Sequence, residues 1–141
     1  MQRKFKIPFH NSKTEVPIVK FYLDNGYEGF AVIDSGSEST VFDKDIIKQN
    51  KKSFTLDVTQ DKMNLVGVTN DQSAVPVVYA KASISFGAVS IEVNGMVVPL
   101  AHITRHCKEL GEDIVISAII GSDTLTKYGA KLNYNKKEMV I

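Results

Sequence analysis

Two short stretches of this sequence combine residue types that could do chemistry. The first is Phe30-Ala31-Val32-Ile33-Asp34-Ser35-Gly36-Ser37, where an apolar run delivers a carboxylate directly into a turn with a hydroxyl and a glycine. A carboxylate at the end of a buried strand needs compensation. Ser35 can supply a hydroxyl hydrogen bond, and Gly36 lets the backbone come close enough for an N–H to reach the carboxylate. A carboxyl group held this way suits proton transfer, as acid or as base. The second stretch is Ala118-Ile119-Ile120-Gly121-Ser122-Asp123-Thr124-Leu125, an apolar run that ends at a glycine.

The elements that position Asp34 are legible from turn chemistry. Val16 to Leu23 and Tyr27 to Ile33 are apolar runs separated by Asp24-Asn25-Gly26, and an Asn-Gly pair between such runs signals a hairpin because both residues tolerate positive φ. The second strand of this hairpin ends at Asp34. Asp43 is placed to cap a short helix through Asn50, and Lys51 to Asp61 has no settled pattern. Strand patterns return at Met63 to Val68 and Val75 to Tyr79, around a polar tip at Thr69-Asn70-Asp71-Gln72. Ala82 to Phe86 and Val89 to Val93 flank Gly87, and Asn94-Gly95 predicts a turn into Met96-Val97-Val98.

Leu100, Ile103, Cys107 and Leu110 recur at helical spacing before Gly111, which predicts a one-sided amphipathic helix with a glycine cap. Val115 to Ile120 is continuously apolar, as a strand buried on both faces would be. Asp123 to Tyr128 reads as another short helix, and Ala130 to Tyr134 with Glu138 to Ile141 as a closing hairpin. Many short strands with at most three short helices favour a closed or sandwich-like β architecture.

The chain has 141 residues, which suits a single domain over 1–141. Its formal net charge is +1 and no run of five or more basic residues occurs, so nucleic acid is not an expected partner. No stretch approaches the roughly 18 apolar residues of a membrane span, so no membrane partner is expected. Cys107, the lone cysteine, cannot close an internal disulfide, which suits a reducing compartment without requiring one. The N-terminus has basic residues but no apolar segment after them, and the location in the cell stays open.

With these residues in view, the chain resembles the retroviral-type (retropepsin-like) aspartic peptidases. Asp34-Ser35-Gly36 matches the family's Asp-Thr/Ser-Gly signature, and Ile119-Ile120-Gly121 its hydrophobic-hydrophobic-Gly partner. The whole segment from Ile119 to Tyr134 looks like the corresponding retroviral segment. The resemblance implies an all-β fold, a closed acid-protease barrel with a β-hairpin flap and two or three short helices. It makes Asp34 the catalytic residue, with Ser35, Gly36 and Gly121 supporting its turn. Met63 to Val77 is the counterpart of the flap, with Gly67, Val68 and Thr69 placed to touch substrate. Peptide hydrolysis by this route needs one ionised and one protonated carboxyl group. Only one Asp-Ser-Gly occurs here, so the resemblance implies a two-fold homodimer acting on a peptide or protein substrate, with no metal and no cofactor.

The chain also departs from the retroviral pattern. Ser122 stands where those enzymes have an arginine, and Glu38 where they have the aspartate it pairs with, so that ion pair is absent. A longer N-terminal segment and an extra strand, Glu138 to Ile141, point to a different dimer interface. The alternative reading is a catalytically inactive peptide-binding module of the same fold. Two further readings are weaker on physical grounds. A phosphorylation motif over Asp34 to Ser39 would need an exposed, flexible segment, which the apolar run Phe30 to Ile33 argues against. A metal at His102, His106 and Cys107 is disfavoured because Cys107 lies on the apolar stripe and the histidines lie off it. The substrate's sequence preference is set by pockets that no local pattern identifies.

Overall fold

The computed structural model describes residues 4–11, 15–63 and 75–141. In chain order these form β1 (Lys6–Pro8), β2 (Ile18–Leu23), β3 (Glu28–Ile33), β4 (Val41–Asp43), α1 (Lys44–Gln49), a 3₁₀ turn (Lys51–Ser53), β5 (Thr55–Met63), β6 (Val75–Phe86), β7 (Val89–Val98), α2 (Ala101–Glu109), β8 (Ile116–Ile120), α3 (Ser122–Lys127), β9 (Lys131–Asn133) and β10 (Glu138–Val140). The Asn25-Gly26 hairpin forms as expected. Gly26 takes φ +88°, and the Asn25 side chain accepts the Tyr27 N–H at 2.9 Å, which fixes the β2–β3 register from Ile18 opposite Val32 to Tyr22 opposite Glu28.

Strands β2, β3, β8, β4, β7 and β6 follow one another around a closed barrel, because β6 returns to pair with β2 at Ser85 and Ile84. β5 adds to the remaining edge of β6. Two pairings are parallel, β3 with β8 and β4 with β7, and they bring the ends of two chemically interesting runs side by side. Closure satisfies the strand edges that an open sheet would expose.

β3 alternates between two apolar environments. Ala31 and Ile33 point into the barrel with Val19, Phe21, Phe42 and Ile120. Phe30 and Val32 face the other way, against a second cluster in which Leu100 and Cys107, at the start and in the middle of the α2 region, pack on Ile18, Ile114 and Ile116. That is why Phe30 to Ile33 is continuously apolar: the strand is covered on both faces.

Several local expectations give way to non-local contacts. Asn94-Gly95 is not a turn, since β7 runs unbroken through it. A Cβ on Gly95 would stand 2.9 Å from the Phe42 ring, so the glycine serves a close approach. The stretch from Lys51 to Asp61 is not unsettled: it holds the 3₁₀ turn and the start of β5, anchored by Phe54 stacked edge-on against Phe42 at 5.2 Å. Asp43 precedes α1 but makes no side-chain cap. Its Oδ1 instead accepts the Leu100 N–H at 2.9 Å, tying the entry of α2 to β4. Val115 is exposed, and the buried strand begins at Ile116. Leu110 also faces solvent, beyond the end of α2.

The closing hairpin of β9 and β10 is present, and β1, unread in the sequence, joins it to give a three-stranded sheet in the order β1-β10-β9. β5 and β6 pair from Thr55 opposite Lys81 to Met63 opposite Val75, forming two arms of a hairpin. Gly67, Val68 and Thr69 lie outside the described residues. On α2, His106 meets Glu109 at 3.9 Å on the exposed side while Cys107 is buried. Among the described residues no helix is long and apolar enough to cross a membrane.

Burial, aided by the nearby charge of Glu112, pushes the Cys107 thiol above its ordinary pKa. As pH rises past about 8.5, the unfolded thiol loses its proton first, so stability should fall with pH there. Native protein is accordingly expected to resist iodoacetamide at pH 8 and to react readily once unfolded in urea. Equal labelling rates in the two states would show that α2 does not hold Cys107 against the barrel.

Candidate active site

Asp34 leaves β3 with its backbone still paired, its N–H donating to Ile120 O at 2.9 Å in β8. The chain then turns at once. Ser37 N–H donates to Asp34 O at 3.1 Å, and Gly36 N–H donates to Asp34 Oδ1 at 3.0 Å. This Asx-type turn fixes one carboxylate oxygen by a backbone donor. The residue as a whole is exposed, so the carboxyl group is oriented without being enclosed.

The second motif lies directly under this turn. β8 ends at Ile120, just before Gly121, and Ser122 N–H donates to Ser37 O at 2.7 Å. A Cβ added to Gly121 would lie 2.7 Å from Ser37 O and 2.8 Å from Ser39 C and O. These are backbone atoms that cannot swing aside, and Gly121 has ordinary extended dihedrals. The glycine is needed for closeness alone.

Thr40 completes the contact. Its hydroxyl has one proton and two lone pairs, and all three are used. It donates to Asp123 Oδ1 at 2.8 Å, accepts the Gly121 N–H at 3.0 Å, and accepts from Thr124 Oγ1 at 2.7 Å. Asp123 also receives the Thr40 N–H on both oxygens at 3.1 Å, and the Thr124 N–H on Oδ1 at 2.7 Å. Thr40 O in turn accepts the Met96 N–H at 3.0 Å, so the network reaches β7.

The fold thus brings Asp34, Ser35, Gly36 and Gly121 together. The Ser35 side chain is exposed, and among the described residues Asp34 Oδ1 is held by Gly36 rather than by the Ser35 hydroxyl. Ser35 instead stands at the lip of a hollow of about 580 Å³ lined also by Ser122, Leu125, Leu132 and Tyr134. Glu38 is exposed, and Ser122 meets the turn through its backbone. Sequence reasoning missed Thr40, Asp123 and Thr124. A signal was present: a carboxylate two residues past the second glycine, opposite a threonine that follows the serine-rich turn.

The same architecture occurs in solved structures. The retroviral protease-like domain of Ddi1 from Leishmania major matches over 84% of this chain and 81% of that chain, with a TM-score of 0.53 and 15% identity. A retropepsin-like aspartic protease from Rickettsia conorii matches over 98% of this chain and 89% of that chain, with a TM-score of 0.56 and 10% identity. No protein-family model and no curated protein matches the sequence. The likeness is therefore one of fold. This chain has the retropepsin-like architecture, a closed six-stranded barrel with three short helices.

The geometry makes two substitutions informative. Gly121→Ala is expected to cost at least about 2 kcal/mol in urea unfolding, because overpacking against immobile backbone has no side chain to relax. Thr40→Val strands the Gly121 N–H and the Thr124 hydroxyl proton and takes one donor from Asp123 Oδ1, and should cost about 2–3 kcal/mol, whereas Thr40→Ser keeps the hydroxyl and should cost less than about 1.5 kcal/mol. A larger loss for Thr40→Ser than for Thr40→Val would mean that packing of the methyl, not the hydroxyl, stabilises the turn.

Proposed function

We propose that this protein is an aspartic endopeptidase whose active unit is a homodimer, with the two Asp34 carboxyl groups facing each other across the two-fold axis. The observation that carries this reading is the Asp34 turn itself: an exposed carboxylate with one oxygen held by the Gly36 N–H, set over a glycine that permits backbone contact. Asp123, the acid that the fold brings beneath the turn, is committed to Thr40 and Thr124 and cannot serve as the second carboxyl. A second copy supplies it. The edge position of β9, with Leu132 and Tyr134 beside the Ser35 hollow, offers that copy a surface next to Asp34.

In such a pair, two carboxyl groups about 3 Å apart share one proton. The ionised one takes a proton from water as the water oxygen attacks the scissile carbonyl, and the protonated one gives its proton to the carbonyl oxygen. Breakdown of the resulting gem-diol returns a proton to the leaving nitrogen. Gly121, Ser35 and Gly36 support the turn, and the β5–β6 hairpin serves as the flap, with Gly67, Val68 and Thr69 contacting substrate.

Asp34→Asn is expected to lower cleavage of a mixed peptide library by at least about 10²- to 10⁴-fold while sedimentation and fold remain unchanged. Equal cleavage by both forms would remove Asp34 from the chemistry. No cleavage by either, with peptide binding retained, would select the inactive binding module.

A further inference from the structure

A second cavity lies away from the catalytic turn, where α1, the roots of β5 and β6, and the end of β7 meet. It has a volume of about 370 Å³, and neither Asp34 nor Ser35, Gly36 or Gly121 lines it. Its wall is apolar: Ile47 of α1, Leu56 of β5, Val78 of β6 and Val97 of β7. Strand periodicity says where this wall comes from. Leu56 pairs with Ala80, and Val97 with Phe42; Ala80 and Phe42 belong to the barrel core, and Val78 shares a face with Ala80 because side chains alternate. Among the described residues, the cavity is thus the open end of the core, where the apolar walls continue past the packed side chains. Leu56, at 54% exposure, is among the most exposed large apolar residues described.

The rim is cationic. Lys44 and Lys48 both line the cavity, and at four residues apart on α1 they stand one turn apart on the same face. Neither ammonium has an ion-pair partner among the described residues. The adjoining acid, Asp45, lines a separate groove on the other flank of α1. Like charges at this spacing repel and weakly destabilise a helix, so an anion between them would relieve the repulsion. The volume lies near the lower end of small-ligand sites, about 300–1,000 Å³, which suits a small molecule better than a peptide segment of several residues.

We propose that this cavity is a binding site for a small amphiphilic carboxylate, its hydrocarbon body against Ile47, Leu56, Val78 and Val97 and its carboxylate between Lys44 and Lys48. Because Leu56 and Val78 stand on the two arms of the β5–β6 hairpin while the lysines stand on α1, the ligand ties the hairpin root to the barrel. Nothing in this assignment depends on peptidase activity.

The test uses decanoate as the probe, with decanol and decyltrimethylammonium as neutral and cationic counterparts of the same chain length. Each is titrated into the full chain below its micelle-forming concentration while the methyl resonances of Ile47, Leu56, Val78 and Val97 are followed by NMR. Decanoate should shift these methyls saturably and bind about tenfold more tightly than decanol, the gain expected from two partly solvated lysines, with the cation weakest. Replacing both exposed lysines, K44Q with K48Q, should bring decanoate to the level of decanol while leaving the spectrum of the fold unchanged. The proposal is overturned if decanoate gives no saturable shift, if its shifts centre elsewhere, if the three amphiphiles bind equally, or if the double variant binds decanoate as well as wild type. Tighter binding at the same methyls by an acetylated leucine- and glutamate-rich peptide would also overturn it, in favour of a protein partner.

Discussion

Two backbone segments separated by more than eighty residues cross so closely at Gly121 that a single Cβ would collide with the carbonyls of Ser37 and Ser39. Much of the site's arrangement follows from that contact. It allows Ser122 N–H to reach Ser37 O and Gly121 N–H to reach the Thr40 hydroxyl. The turn that carries Asp34 is therefore positioned by backbone and by one fully used hydroxyl, not by side-chain packing. β4 starts at the next residue, Val41, and pairs with both β7 and β8, so a displacement at the crossing would propagate into the barrel wall.

The means of locking the turn has a physical logic of its own. An arginine–aspartate pair at Ser122 and Glu38 would have required two charges to be desolvated beside the site, a cost that geometry must recover. Here one carboxylate, Asp123, accepts donors from Thr40 and Thr124 and keeps a solvent-facing side. Hydrogen bonds to an ionised acceptor are stronger than neutral ones, and no second charge has to leave water. Thr40, 1% exposed, contributes the buried share of the network and leaves no unsatisfied polar atom behind.

What could be read from sequence divides along the same line between local and non-local causes. The Asn25-Gly26 hairpin, the Asp34 turn, the helix before Gly111 and the closing hairpin are written in neighbouring residues, and each is found where the residues place it. β1 and β5 depend on partners far along the chain, Lys6 on Val140 and Thr55 on Lys81, so their short apolar patterns are uninformative alone. Asn94-Gly95 carries a strong hairpin signal that loses to the Phe42 ring above it. The Asp43 side chain has two possible uses, helix cap or acceptor for Leu100 N–H, and only the fold of the intervening segment decides between them. Thr40 and Asp123 were hidden for the same reason, each being an unremarkable residue until the other is placed beside it.

The Asp34 turn is held on some sides and open on another. Gly36 holds one oxygen of Asp34, the crossing holds the turn from below, and Thr40 holds it from the side, yet Asp34 and Ser35 remain exposed. Burying a lone carboxylate would cost more than its hydrogen bonds return unless a partner shared the charge or the proton. Exposure is the inexpensive state for the single chain, and it places the open side of Asp34 on the same lip as the Ser35 hollow, next to Leu132 and Tyr134. β9 stands at the edge of its sheet there, with β10 between it and β1, so the described strands of this sheet all pair within one chain. A copy docking on that edge would not have to interleave its termini with those of its partner. The rigid crossing beneath the turn would then fix the carboxyl group independently of whether the copy is bound, so association would add the second acid to a geometry already set.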